Sequence, residues 1–326
     1  MKKLLILAIC TILGHQAIAQ FSPQVGLVGS DGISKDDTLI KAWATHCTVE
    51  RGWMNIANPS LGYVTHGDST LVIGPPSFNT AALSLGDGGV ATVTFEHPIM
   101  NGTGPDFVVF ENGFLAPGDT VKAFLELAEV AVSSDGINFV KFPSKYYGQD
   151  TAQINTFDAM DARIMHNLAG KHMWGYGTGF DLNELANEGN LDINQIRFVR
   201  IIDVIGAIDP ELGTKDSEGN IINDPYPTEF NTGGFDLSAV GVIHQNTTVS
   251  VKTIEQPAFK IYPNPATHLL YVVLSDNNPK DFRVINALGQ TTLMGSLKNE
   301  QIDISNLNPG NYWLEIDNQR VAFVKK

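Results

Sequence analysis

The sequence predicts an all-β protein built from two β-sandwiches, a large one followed by a small one. Many short runs alternate apolar with polar residues, which is the period-two pattern of strands with one buried face. The 31 glycines among 326 residues favour frequent turns between such runs. Apolar residues at helical spacing are scarce, and the chain is long enough for one large domain and one small one.

The first residues are typical of an export signal. Lys2 and Lys3 precede an apolar run from Leu4 to Leu13, and Ala17-Ile18-Ala19 gives the small-residue cleavage pattern. Residues 1–19 are therefore predicted to be a signal peptide, and the protein to be secreted or held on the outer cell surface. No later run reaches the roughly 20 apolar residues of a membrane-spanning helix, so no membrane span is expected.

Signal cleavage leaves Cys47 as the remaining cysteine of the two in the sequence. An intrachain disulfide is therefore not expected, and the fold has to be stabilised by its core.

The predicted first domain spans residues 20–245 and consists mainly of strands. "GGVATVTFEHPI" alternates from Val90, and "DFVVF" reads as a buried strand from Phe107 to Phe110. "ELAEVAVSSDGINFVKF" predicts a hairpin that turns at Ser134-Asp135-Gly136. "IRFVRIIDVIG" and "GGFDLSAVGVI" predict two further strands.

One helix and two long loops complete that domain. Asp181 to Ala186 is expected to be helical, with Asp181 as N-cap and Glu184 closing a capping box. The polar stretches at about 145–179 and 206–234 exceed ordinary connection lengths, and such loops are often functional. Many short strands with glycine and proline turns indicate a jelly-roll-like sandwich.

A polar, threonine-rich linker is predicted at residues 246–257, before a domain at residues 258–326. The latter contains Tyr262-Pro263-Asn264-Pro265, the "NALGQ" turn, the "LNPGNY" segment and a Lys325-Lys326 end. These features in this order resemble the C-terminal sorting domain of type IX secretion in Bacteroidetes-type bacteria. The resemblance implies a small immunoglobulin-like β-sandwich and the type IX secretion machinery as a partner.

The first domain carries a second resemblance. "SLGDGGVATVTF", "NGTGPDFVVFENGF", "VSSDGINF", "IRFVRIIDVIG" and "GGFDLSAVGVI", in this order, resemble a family of exported bacterial surface proteins. The pattern is also similar to discoidin and galactose-binding jelly rolls. It implies a fold and transfers no catalytic residue.

Net charge restricts the class of ligand. The formal charge is −14, and the residues from Pro257 onward hold seven basic and six acidic side chains, so the negative charge lies before them. Such a surface repels phosphates, which argues against nucleic acid and favours cations or neutral ligands.

Calcium is the expected cofactor, because oxygen-rich turns and an acidic loop after a buried strand match its preference for hard oxygen ligands. Asp106 and Glu111 flank the strand at Phe107–Phe110 and are expected at its opposite ends. The alternative is a solvated acidic loop whose carboxylates make turns. The candidate metal ligands are Glu111, Asn112, Asp203, Asp209, Asp216, Asp224 and Asp236.

Aromatic residues in the long loops are the candidate ligand-binding residues, since exposed rings stack on sugars or flat ligands. Packing of the rings beneath the loops is the equal alternative. The candidates are Tyr146, Tyr147, Trp174, Tyr176 and Tyr226.

These observations predict a secreted or surface protein that binds a glycan or another small ligand and is stabilised by calcium. Two alternatives stay open: a metal-dependent extracellular hydrolase, and a nutrient-capture protein serving an outer-membrane transporter. No catalytic residue is assigned.

Overall fold

A computed structural model describes residues 21–77, 82–247, 259–274, 280–297, 300–317 and 319–326. The chain divides into two compact units between Thr247 and Thr248, inside the predicted linker. The predicted signal peptide and most of that linker lie outside the described residues.

The first unit is built from short strands joined by turns and one-turn 3-10 helices. Its strands are β1 (Ile33–Ser34), β2 (Ala42–Trp43), β3 (His46–Glu50), β4 (Leu83–Ser84), β5 (Val90–Ile99), β6 (Phe107–Phe110), β7 (Phe114–Leu115), β8 (Lys122–Phe124), β9 (Ala128–Ser133), β10 (Val140–Lys141), β11 (Lys145–Tyr146), β12 (Met160–Asp161), β13 (Met165–His166), β14 (Tyr176–Phe180), β15 (Ile196–Asp203), β16 (Asp236–Leu237) and β17 (Ala239–Val242). Its 3-10 helices are Pro59–Leu61, Ser69–Val72, Ala162–Ile164 and Leu182–Leu185.

Two five-stranded antiparallel sheets enclose the main core. One has the order β1-β14-β6-β17-β2 and the other the order β10-β9-β15-β5-β3. From β6 to β17 the longer strands β6, β9, β14, β15 and β17 alternate between the two sheets, which is the connectivity expected of a jelly roll. The predicted all-β class is confirmed.

Period-two alternation explains the core. On β5, Ala91 and Val93 are fully buried, and they pack with Val199 and Ile201 of β15. Burying each such valine or isoleucine stabilises the fold by roughly 1.5–3 kcal/mol relative to leaving it exposed. Cys47 of β3 belongs to the same core, and burial raises the pKa of its thiol to about 11.

The one predicted helix forms only a 3-10 turn, and no α-helix occurs in the described parts of the chain. Asp181 caps it as predicted, accepting a hydrogen bond from the Asn183 backbone N–H at 2.9 Å. Glu184 closes no capping box, because its carboxylate accepts instead from the Asn167 side-chain amide at 2.6 Å. Asn167 therefore ties this turn to the preceding loop.

The two predicted long loops differ from each other. The stretch at 145–179 is divided by β11, β12 and β13, which pair with neighbouring strands. Residues 204–235 contain no named strand, although Lys215 and Ile221 form an isolated bridge. Small sheets β12-β8-β7 and β16-β4 lie beside these segments and carry residues of the site described below.

The second unit is a smaller antiparallel structure with its own core. Leu270, Val272, Val284 and Leu314 are fully buried within that core. The strands form a three-stranded sheet of order β18-β19-β22 and a four-stranded sheet of order β21-β20-β23-β24. Their bounds are β18 (Phe259–Tyr262), β19 (Leu269–Leu274), β20 (Asp281–Asn286), β21 (Thr291–Ser296), β22 (Gln301–Asp303), β23 (Gly310–Ile316) and β24 (Gln319–Lys325).

Candidate ligand-binding pocket

A pocket of about 350 Å³ opens in the first unit where several chain segments meet. These segments are the turn after β6, the end of β8, the residues before β14 and the residues that lead into β16. The pocket is lined by Asn112, Gly113, Phe114, Phe124, Glu126, Phe157, Trp174, Phe230, Thr232 and Asp236.

Four phenylalanine rings of the lining form a continuous row. Phe114 stacks on Phe124 at 5.1 Å, Phe124 meets Phe157 at 6.2 Å, and Phe157 stacks on Phe230 at 6.0 Å between centroids. Phe157 is 75% exposed and Phe114 is 54% exposed. Rings of this size usually bury most of their surface, so the row offers apolar area to a bound molecule.

Trp174 adds a fifth ring and an unused donor. Its backbone N–H donates to the Gly113 carbonyl at 2.6 Å, which fixes the tryptophan beside the turn after β6. Its indole Nε1 is buried and has no hydrogen-bond partner in the structure. A buried indole N–H normally has a partner, so this donor is left unsatisfied.

Two carboxyl groups line the same pocket. Asp236 accepts hydrogen bonds from the Ser84 hydroxyl and from the Asn112 side-chain amide, the latter at 2.8 Å. Glu126 is 5% exposed, and within the described part of the chain no hydrogen-bond donor reaches its carboxyl group. The carboxyl group of Glu126 therefore has only the pocket from which to gain a polar partner.

Three further carboxyl groups lie close enough to Glu126 to act on its ionisation. Glu111 Oε2 accepts from the Gly113 N–H at 2.6 Å, and Asp224 Oδ2 accepts from the Leu127 N–H at 3.0 Å. Asp203 accepts from the backbone N–H groups of Phe235 and Gly88. We call the following five side chains the carboxyl cluster: Glu111, Glu126, Asp203, Asp224 and Asp236.

The carboxyl cluster is short of partners as well as deeply buried. Each member is at most 7% exposed. Glu111 Oε1 and Asp224 Oδ1 are buried and have no hydrogen-bond partner in the structure. Buried carboxyl oxygens without donors destabilise the ionised form, because no dipole replaces the lost water.

Burial and mutual repulsion set the ionisation of the cluster. Desolvation raises the pKa of Glu126 well above its ordinary value, and the charges of neighbouring carboxylates raise it further. Burial likewise raises the pKa values of Glu111, Asp203, Asp224 and Asp236. The charges of Arg51 and His66 oppose this at Asp236. The ionised form of the cluster is therefore disfavoured, and a positive charge from outside the protein would stabilise it.

The structure brings some of the predicted metal ligands together and separates others. Glu111, Asp203, Asp224 and Asp236 belong to the carboxyl cluster, and Asn112 bonds to Asp236. Asp209 is exposed and accepts from the Glu211 N–H of its own turn.

Asp216 is buried, but its oxygens are used by the Tyr146 N–H and by donors of its own turn. Among the described residues, no group of three or more His, Cys, Asp or Glu side chains is arranged to hold a metal ion.

Of the predicted ligand-binding aromatics, Trp174 lines the pocket. Tyr146 is buried, and its hydroxyl donates to the Asn223 carbonyl at 2.7 Å. Tyr147 stacks on Phe21, and Tyr226 donates to the Asn55 side chain at 2.8 Å. Tyr176 lies on β14 opposite Ser34. These four are therefore placed apart from the pocket lining.

Sequence reasoning missed Glu126 and the four phenylalanines. The signal for Glu126 is its place in "AFLELAEVAV", where a carboxyl group interrupts a run that is otherwise buried. No local pattern distinguishes Phe114, Phe124, Phe157 and Phe230, because three separate chain segments bring them together.

A second cavity, of about 530 Å³, lies in the second unit along β20 and β21. Its carboxylate Glu315 already pairs with Arg283 and with Arg320. Because Glu315 is already paired with these two arginines, its charge gives no reason to expect a ligand in this groove.

Comparison with known families identifies the second unit. Residues 260–326 match the family model described as a secretion system C-terminal sorting domain. This domain carries proteins through type IX secretion, so the protein interacts with that machinery and is secreted or located at the cell surface. In the described residues, no helix has the length and apolar character to cross a membrane.

A search of curated proteins returned no match. Among solved structures, a biofilm-associated protein BSP domain matches with 12% identity and a TM-score of 0.18, covering 90% of this chain and 53% of that one. The apo β-glucuronidase 3 of Bacteroides uniformis matches with 11% identity and a TM-score of 0.22, covering 90% and 34%.

The β-glucuronidase of Ruminococcus gnavus in complex with uronic isofagomine matches with 11% identity and a TM-score of 0.23, covering 87% and 43%. The chain thus spans between about a third and about a half of these structures. TM-scores this low establish no shared fold, so these likenesses carry no argument about the pocket.

Proposed function

We propose that this exported protein binds a saccharide or another small polar ligand in the pocket of its first unit. The supporting observation is the row of partly exposed rings, Phe114 to Phe230, beside the carboxyl groups of Glu126 and Asp236. Delivery of a captured nutrient to an outer-membrane transporter would use the same pocket.

The chemistry of the lining suits such a ligand. Ring faces stack on the C–H face of a sugar, and a few placed polar groups then fix its orientation. Asn112 and Asp236 supply the polar groups beside the rings. The pocket is also within the usual size range for small-ligand sites.

A glycan array followed by titration calorimetry tests the proposal. Phe157→Ala removes a ring that is 75% exposed, so we expect it to fold normally and to lower affinity roughly three- to ten-fold. Ile137→Ala, which truncates another highly exposed side chain in the β9–β10 turn, is the control. Ligand binding that is equally strong in Phe157→Ala and in the unsubstituted protein would contradict the proposal.

The hydrolase alternative has one observation in its favour. Glu126 and Asp236 both line the pocket, and a carboxyl group with a raised pKa can act as general acid toward a glycosidic oxygen. Release of reducing ends from a bound glycan, lost in Glu126→Gln, would support the hydrolase. Binding without any product would support the binding protein.

Calcium remains part of the proposal as a stabilising ion at the carboxyl cluster. Because no three of the described side chains are arranged around one point, the carboxylates would have to move to bind it. An ion that binds only the native state raises its stability. A melting temperature that is the same in millimolar CaCl2 and in EGTA would remove calcium from the proposal.

A further inference from the structure

We propose that the ligand of this pocket carries a positive charge, on a protonated amine or a quaternary ammonium group. The inference rests on the proposed function, because it names the chemical class of ligand for the same pocket. The observations that support it are the composition of the lining, the row of rings and the unpartnered carboxyl group of Glu126.

The lining is one-sided in its charge. It contains two carboxyl groups, Glu126 and Asp236, and none of its residues is a lysine, arginine or histidine. A pocket for an anionic sugar or a phosphate would need a basic side chain at this place. The pocket is therefore suited to neutral or cationic molecules, and the deficit of positive charge favours the cationic ones.

The rings have the chemistry that organic cations need. Aromatic faces carry negative potential and attract an ammonium group within about 6 Å of the ring centroid. Trp174 and the phenylalanine row from Phe114 to Phe230 place five rings around one cavity. Several rings beside a carboxylate form the type of cage that binds quaternary ammonium groups.

Glu126 distinguishes a cation from a neutral ligand. Its carboxyl group lines the pocket, is 5% exposed and meets no donor among the described residues. The neighbouring charges with the largest effect on it are those of acids, namely Asp236, Glu111, Asp224 and Asp203. A neutral hydroxyl would satisfy one oxygen of Glu126, whereas a cation would also offset the repulsion from those neighbours.

The first experiment uses a pair of probes that differ in charge alone. Choline and its neutral carbon isostere 3,3-dimethyl-1-butanol have the same shape, and we would titrate each into the whole exported chain by calorimetry. We expect choline to bind and the alcohol to bind at least ten-fold more weakly. Equal binding of the two, or no binding of choline at millimolar concentration, overturns the inference.

Two variants test whether Glu126 provides the negative charge that binds choline. Glu126→Gln keeps the shape of the side chain and removes its charge, and should weaken choline binding roughly ten- to a hundred-fold. Glu188→Gln makes the same chemical change at an exposed acid outside the lining, so it serves as the matched control. Unchanged choline affinity in Glu126→Gln, with melting confirming the fold, overturns the inference.

Dependence on pH supplies a readout that simple packing would not affect. Choline keeps its charge at every pH, so any change reports on the protein. A cation favours ionised carboxylates, so choline affinity should rise with pH, and calorimetry in phosphate and Tris should show that binding releases protons. Arg51 and His66, which face Asp236, limit the effect at that residue. Affinity that falls with rising pH overturns the inference.

Amino sugars separate this inference from the proposed function. Glucosamine can carry a positive amine, whereas N-acetylglucosamine is neutral. Tighter binding of glucosamine supports the inference. If N-acetylglucosamine binds as tightly as glucosamine, and Phe157→Ala weakens it, the saccharide proposal stands and the inference is overturned.

Discussion

At the scale of single residues, Glu126 combines two properties that rarely coexist in a stable fold. It is deeply buried, and no donor in the described part of the chain satisfies it. Residues with this cost to stability tend to be placed where a function needs them. The destabilisation that the Glu126 carboxyl group causes should be measurable.

We predict that Glu126→Gln stabilises the protein at alkaline pH. The pKa of Glu126 is raised in the folded state, so the unfolded chain releases its proton at lower pH than the native protein does. Native stability should therefore fall as pH rises from the ordinary carboxyl range, and the neutral variant should avoid that loss. By pH 8 the gain should be roughly 1–3 kcal/mol, measured by urea denaturation.

The difference should disappear near pH 4, where Glu126 is protonated in both states. Glu188→Gln, which makes the same change at an exposed side chain, is the control variant. A variant that is less stable than the natural sequence at pH 8 would show that Glu126 has a partner that the structure lacks.

Gly170 packs closely against the backbone of Glu126. It has a φ of +82°, and a Cβ at this position would overlap the backbone carbonyl oxygen of Glu126. We expect Gly170→Ala to destabilise the protein by more than about 2 kcal/mol in urea denaturation. Gly189→Ala meets no atom within 4 Å and should change stability by less than about 0.5 kcal/mol. Similar effects at both sites would be inconsistent with this packing.

At the scale of elements, the segment that precedes β1 supports the segment that carries Trp174. The buried Gln24 accepts hydrogen bonds from the backbone N–H groups of Val25 and Met173 and donates to the Lys171 carbonyl. Lys171 also donates to Ser22, and Phe21 stacks on His166. The position of Trp174 in the pocket thus depends on residues about 150 positions earlier in the chain.

We predict that Gln24→Ala weakens both the fold and ligand binding. The change leaves the half-buried Met173 N–H without this acceptor, which should cost roughly 0.5–1.5 kcal/mol. The melting temperature and the affinity of the glycan selected on the array should both decrease. Gln195→Ala, which removes a 3.4 Å bond to Arg197, is the control. Normal affinity in Gln24→Ala would show that Trp174 is held by other contacts.

Local alternation was sufficient to predict several of the longer strands but not the pocket. β6 spans Phe107–Phe110 as predicted, and the β9–β10 hairpin turns at Asp135, whose carboxylate accepts from two following N–H groups. The predicted helix at Asp181 became a 3-10 turn because Glu184 found a partner in Asn167. The row of rings depends on long-range packing, which cannot be read from the apolar alternation of strands or from turn residues.

Likewise, the acidic residues were visible in the sequence but their grouping was not. Glu111 follows β6, Asp203 ends β15 and Asp236 begins β16, so their place at strand ends could be read from the pattern. Their mutual proximity follows from sheet topology. Asp209 serves only its local turn, and Asp216 serves its own turn and the Tyr146 N–H.

At the scale of the whole molecule, the sorting domain and the pocket proposed for ligand binding belong to different units. The division between Thr247 and Thr248 separates the pocket from the sorting domain at 260–326. The net negative charge lies before Pro257, in the part that would meet the ligand. A negative field of this kind raises the local concentration of cations and excludes anionic polymers.

We predict that deletion of residues 260–326 abolishes export. The shortened protein should remain inside the cell envelope, whereas a reporter fused to residues 260–326 should reach the medium or the surface. Immunoblots of fractionated cultures, with protease treatment of intact cells, would measure this. Export of the shortened protein would show that another signal carries it across the outer membrane.

The thiol of Cys47 can report how often the large sandwich opens. Cys47 is 4% exposed in the main core, and burial raises the pKa of its thiol to about 11, so the thiol stays protonated and unreactive at neutral pH. A thiol reagent such as Ellman's reagent should modify it only when the sheets separate. The rate of colour development would therefore time the opening of the fold, and any ligand that tightens the sandwich should slow it.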